Sequence, residues 1–111
     1  MDQKIEELCN ELSRLPDEAS RRAFLDRSPE LLRAEIVEQL AEAVRHEVRV
    51  DVRQALGLAE GALAIAAELP DKGARARALR AKANALWFLG QCKFAVDLFR
   101  EAAYLLSLIH I

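Results

Sequence analysis

An all-α fold is predicted for this 111-residue chain by its side-chain inventory, its apolar periodicity and the placement of its helix breakers. Alanine and leucine dominate, threonine is absent, and glycine and proline number only four and three. Alanine gives up no side-chain entropy on entering a helix and leucine little, whereas the branched and aromatic residues that suit a pleated sheet are scarce. Apolar residues recur at three-and-four spacing, the signature of a helix with one buried face. Turn residues fall between these stretches, which predicts about six helices, each antiparallel to the one before.

Asp2 is placed to cap the first helix, in which Ile5, Leu8, Cys9, Leu12 and Leu15 share a face and Glu6, Glu7 and Glu11 turn outward. Pro16 ends it. The same proline suits an early position of the next, short helix, where Asp17 and Glu18 supply the negative charge a helix start favours and Ala19, Ala23 and Phe24 form the apolar side. Ser28-Pro29-Glu30 repeats the start signal and leads into a third helix carrying Leu31, Leu32, Ile36, Val37, Leu40, Ala41, Val44 and Val48.

The segment VRVDVR alternates like a strand, but both neighbours are helical, so a turn is expected there with Asp51 capping the fourth helix. That helix carries Ala55, Leu56, Leu58, Ala59, Ala62, Leu63, Ala66 and Leu69, and stops at a Pro70-Asp71-Lys72-Gly73 turn. A fifth helix runs to Leu89, where Gly90 breaks it. The last starts near Lys93 with Phe94, Ala95, Leu98, Phe99, Ala102 and Leu105.

Composition narrows the function as well. With 52% hydrophobic and 31% charged residues, disorder is excluded and one domain is expected. A formal net charge of -2 supplies no field for phosphate backbones, so nucleic acid is not an expected partner. A DNA-binding reading built on Arg75, Arg77, Arg80 and Lys82 is opposed by the acidic remainder and by the lack of a short recognition turn. No uncharged interior stretch, Gly61 to Ala67 among them, is long enough to span a bilayer. Cys9 and Cys92 lie far apart with no CxxC spacing, so they are expected to be buried free thiols in a reducing cytoplasm, not metal ligands. No GxSxG, HExxH, P-loop or GxGxxG pattern occurs, His46 among Arg45, Glu47 and Arg49 has no nucleophile in reach, and paired acids such as Glu35 and Glu38 face outward. Neither catalysis nor a cofactor is expected.

From Leu79 onward the segment ALRAKANALWFLGQCKFAVDLFREAAYLL resembles a tetratricopeptide repeat: Leu79, Ala83 and Leu86 in a first helix, Gly90 at the turn, then Ala95, Phe99 and Ala102. Alanines belong where two helix backbones cross closely, with Leu86 and Phe99 filling the space beside them. Lys82, Cys92 and Ser107 depart from the family's usual leucine, aromatic and proline. Earlier in the chain, Ala59, Leu63 and Ala66 echo Ala95, Phe99 and Ala102, marking a degenerate copy over 35–69 beside the clearer one over 74–106; Glu47 occupies the crossing-alanine position of the weaker copy. Residues 1–27 form a divergent cap or a further helix pair, and 28–106 a short right-handed α-solenoid. The region resembles the opening of the repeat array in large bacterial regulatory proteins, where such arrays precede a signalling or protease-like effector domain. The closing LSLIHI lacks a polar cap or glycine stop and is similar to adapter read-through, so residues 107–111 are read as a non-native tail in which His110 carries no role.

Arg77, Arg80, Asn84 and Trp87 recur at helical spacing on a face distinct from Leu79, Ala83 and Leu86. The resemblance implies that this face lines a groove, where an arginine and an asparagine one turn apart can grip a peptide's terminal carboxylate. The plainer reading is a solvated basic stripe, with Trp87 half-buried between repeats. Arg77, Arg80, Asn84, Trp87 and Phe88 are therefore the candidate contacts of a non-catalytic protein- or peptide-binding module; a structural arm of a larger effector is the alternative. The apolar Leu105 and Leu106 add self-association through the last helix as an expectation.

Overall fold

The computed structural model describes residues 2–109. Six α-helices make up the fold: α1 (Gln3–Ser13), α2 (Glu18–Arg27), α3 (Ala34–Glu47), α4 (Val52–Ala66), α5 (Lys72–Phe88) and α6 (Cys92–Ile109). No strand occurs among the described residues. Of the proposed tail, Ser107, Leu108 and Ile109 continue α6, while His110 and Ile111 lie outside the described residues.

Aspartates start four of the helices. Asp2, Asp17, Asp51 and Asp71 each accept a hydrogen bond from a first-turn backbone N–H, which satisfies donors that a helix start leaves unpaired. At Asp17 the cap is reciprocal: its carboxylate accepts from the Ser20 amide at 2.7 Å and its own N–H meets the Ser20 hydroxyl. That bond and the adjacent Ser20 side chain hold the Asp17 carboxyl below its ordinary range.

Several boundaries differ from the sequence expectation. Pro16 lies before the Asp17 cap and outside α2. Pro29 does not open α3; residues Pro29–Leu31 form a single 3-10 turn, and α3 begins at Ala34 behind an extended Arg33. The tight turn buries Leu31 completely, a packing gain that a continuous helix from Ser28 would redirect. Lys72 and Gly73 belong to the first turn of α5, because Asp71 is used as its cap. On α2, Ala19 and Ala23 are exposed, and Phe24 with Leu25 supplies the buried side.

The core is organised around α4, which touches α1, α2, α3 and α5 and buries Ala55, Leu58, Ala59, Gly61, Ala62, Ile65 and Ala66. The sequence predicts each helix antiparallel to the one before, but neither α1 with α2 nor α2 with α3 forms a principal contact. Both α1 and α2 make their principal contacts with α4 and the 3-10 turn instead. The approach of α1 to α4 is possible because Gly57 and Gly61, one turn apart, leave a notch: a β-carbon at Gly61 would stand 3.2 Å from the Leu12 side chain, and one at Gly57 would overlap the Ser13 carbonyl. Gln54 ties the same crossing by donating to the Ser13 hydroxyl at 3.3 Å.

Helix α5 packs against α3, α4 and α6. Its contact with α6 is built on small residues: Ala76 and Leu79 cluster with Ala102, and Ala83 and Leu86 with Ala95. Gly90, at φ +84°, makes the reversal between the two helices. Ala95 and Ala102 are the fully buried residues of this eighteen-residue helix, with Leu98, Leu105 and Leu106 partly buried beside them. Phe99 departs from its expected filling role, being 37% exposed. Cys92 departs likewise: Cys9 is buried beneath α1 and Cys92 is exposed at the start of α6.

Candidate functional site

A concavity of about 520 Å³ forms a trough between α3 and α5. One wall is the outer face of α3, where Glu38, Glu42 and Arg45 recur at helical spacing; the other is Arg77, Arg80 and Asn84 of α5. Ala41, Val44 and Ala81 form an apolar floor, and the Phe99 ring closes one side. Small floor residues let α3 and α5 approach while their longer polar side chains stand up on either side.

The charges within the trough are unequally engaged. Arg77 reaches across to Glu38 at 3.3 Å and bridges the two walls. Its Nε is buried without a hydrogen-bond partner, so the guanidinium is held by one end only. On α3, Arg45 and His46 both lean on Glu42, at 3.2 and 3.4 Å. Arg80 is exposed and, among the described residues, has no carboxylate within ion-pairing distance; Asn84 beside it is half-buried with no side-chain partner. Five guanidinium N–H donors and an amide therefore stand free, one helical turn apart, over an apolar floor.

The sequence-derived candidates divide at this point. Arg77, Arg80 and Asn84 are brought together in the trough. Trp87 and Phe88 are not among its lining residues; they lie further along α5, 50% and 46% exposed, past the point where α3 supplies an opposing wall. Phe99, which the sequence reading assigned to the scaffold, joins the trough instead. The contribution of α3 was missed. The signal for it was the Glu38, Glu42, Arg45 periodicity, which is indistinguishable in sequence from an ordinary solvated face.

Lys82, where the resembled repeat carries leucine, is paired with Glu60 of α4 at 3.1 Å. Glu60 also lies 4.0 Å from Arg21 of α2, whose other nitrogen donates to the Leu15 carbonyl at 3.1 Å. The charge network thus pins α2, α4 and α5 together on the side away from the trough's open cations.

A second, shallower concavity of about 700 Å³ lies between the start of α5 and the end of α6, lined by Pro70, Asp71, Lys72, Gly73, Arg77, Leu106, Leu108 and Ile109. No group of three or more histidine, cysteine, aspartate or glutamate side chains able to hold a metal ion occurs among the described residues. No helix among them is long and apolar enough to cross a membrane. Comparison of the chain with protein-family models, with curated proteins and with solved structures returns no match.

Proposed function

We propose that the chain is a helical binding module of the tetratricopeptide type, in which α3 with α4 and α5 with α6 act as successive hairpins and the trough receives an extended acidic peptide. The observation that carries this reading is the Arg80–Asn84 pair. Every other cation on the trough walls already has a carboxylate, whereas Arg80 and its neighbour Asn84 present unused donors above an apolar floor. A carboxylate entering there gains charge-assisted hydrogen bonds without first displacing an internal ion pair. Phe99 and the floor alanines supply apolar contact for the residue next to it.

The test is calorimetric titration with a glutamate-rich hexapeptide bearing a free terminal carboxylate. Replacing Arg80 and Asn84 together by alanine is expected to lower affinity more than about ten-fold, the loss of roughly 1.4 kcal/mol or more, with helical circular dichroism unchanged. Equal affinity in wild type and variant overturns the groove assignment.

A further inference from the structure

The ion pair that crosses the trough, Arg77 with Glu38 at 3.3 Å, is held more lightly than the Glu60 network. Glu60 is shared by Arg21 and Lys82, and all three side chains are mostly buried, so removing one partner strands charge away from water. Glu38 and Arg77 are 57% and 41% exposed, and neither has a second ion partner among the described residues. An exposed pair of this kind contributes little and opens at small cost. The buried Nε of Arg77 is unpartnered as well, so one half-exposed carboxylate is all that answers a permanent positive charge.

We infer that Glu38 is a built-in competitor, a carboxylate of the chain itself seated on Arg77 where the second acid of a peptide would bind. The inference rests on the reading of the trough as a peptide groove and adds the position of that acid. Arg77 lies five positions from the midpoint of Arg80 and Asn84, about 7.5 Å along the helix axis. An extended peptide advances about 3.3 Å per residue. With its terminal carboxylate on Arg80 and Asn84, it therefore brings the residue two before its last alongside Arg77. Arg77 also belongs to the lining of the second concavity, so it stands where a chain leaving the trough toward the start of α5 passes. The peptide's acid and Glu38 are chemically alike, and the guanidinium exchanges one carboxylate for the other. That exchange gains little, so Glu38 suppresses the advantage of a peptide with two acids over one with the terminal carboxylate alone. Glu42, one turn on, is engaged by Arg45 and His46 of its own helix instead.

Calorimetry with two hexapeptides tests this. Both carry a free terminal carboxylate, and they differ only at the residue two before the last, glutamate in one and glutamine in the other. Wild type is expected to bind them within about two-fold of each other, whereas Glu38→Gln should favour the glutamate peptide by about three- to five-fold, the upper range an exposed ion pair supplies. Adding Arg77→Gln to that variant should abolish the preference. Glu42→Gln removes the same charge from the same wall and should leave the wild-type ratio unchanged. The circular dichroism and thermal midpoint of Glu38→Gln should match wild type. A preference in Glu38→Gln no greater than in wild type, one reproduced by Glu42→Gln, or one that survives Arg77→Gln overturns the competitor; the groove still stands if replacing Arg80 and Asn84 by alanine weakens both peptides. A Glu38→Gln chain that unfolds makes the bridge a structural tie and overturns the competitor too. If wild type binds neither peptide, the groove reading itself fails and the competitor with it.

Discussion

The α-carbon of Gly57 on α4 is pressed against the backbone carbonyl of Ser13 at the end of α1, so closely that a β-carbon at position 57 would overlap the carbonyl oxygen. Backbone cannot rotate away as a side chain can. Gly57→Ala must therefore push α1 off α4, an overpacking cost of about 1–3 kcal/mol that outweighs the ~1 kcal/mol an alanine gains over glycine in a helix interior. The same substitution one turn on, at Gly61, meets the end of the Leu12 side chain at 3.2 Å, which can shift by a few tenths of an ångström. Urea denaturation should show Gly57→Ala clearly destabilised and Gly61→Ala within about 1 kcal/mol of wild type. Equal effects at the two positions would show that the notch does not set the distance between α1 and α4.

A second prediction concerns the small-residue contact between α5 and α6. Ala95 is fully buried against Ala83 and Leu86, where a longer side chain must displace its neighbours. Ala95→Leu should cost about 1–3 kcal/mol and lower the denaturation midpoint. Ala103→Leu, on the exposed side of the same helix, should leave the monomer's midpoint within about 0.5 kcal/mol of wild type. An unaltered midpoint for Ala95→Leu would mean that α6 rides on α5 loosely rather than packing through the alanines.

The helices, the Asp2 and Asp51 caps and the Gly90 reversal were legible because each depends on residues near in sequence: an apolar face repeats within the helix, and Asp51 acts on amides two or three positions away; Asp71, which reads as a turn residue beside Pro70, caps α5 instead. What depended on tertiary contact was not. Pro29 signals a helix start, but burying Leu31 diverts it into a 3-10 turn. Gly57 and Gly61 read as ordinary low-propensity residues, and only the arrival of Leu12 and Ser13 explains them. The site shows the same division. The helical spacing of Arg77, Arg80 and Asn84 was visible along α5, whereas the facing wall of α3 and the ring of Phe99 are placed by packing between helices distant in sequence. Trp87 shares the periodicity of Arg80 and still falls outside the trough, since periodicity says which way a side chain points but not where the neighbouring helix supplies a wall.

The two thiols provide the remaining prediction. Cys9 lies in the core beneath α1, where burial, reinforced by the nearby Glu6 carboxylate, pushes its pKa up to about 11; Cys92 is exposed. The thiolate is the reactive form. A disulfide-exchange reagent at neutral pH should modify Cys92 promptly and Cys9 only at the rate of unfolding. The raised pKa also has a thermodynamic consequence with a definite sign. Between the ordinary thiol value of 9.0 and about 11, the unfolded chain has released the Cys9 proton while the folded chain retains it. Stability from this group is therefore complete below the lower value and is lost as the pH rises through the upper one, with a slope of at most ~1.4 kcal/mol per pH unit. The quantity to measure is the difference in urea midpoint between wild type and Cys9→Ala at pH values spanning that window. The advantage of wild type over the variant should shrink as the solution becomes more alkaline. A difference that stays constant, or fast modification of both thiols in the native protein, would place Cys9 at the surface and α1 off the core.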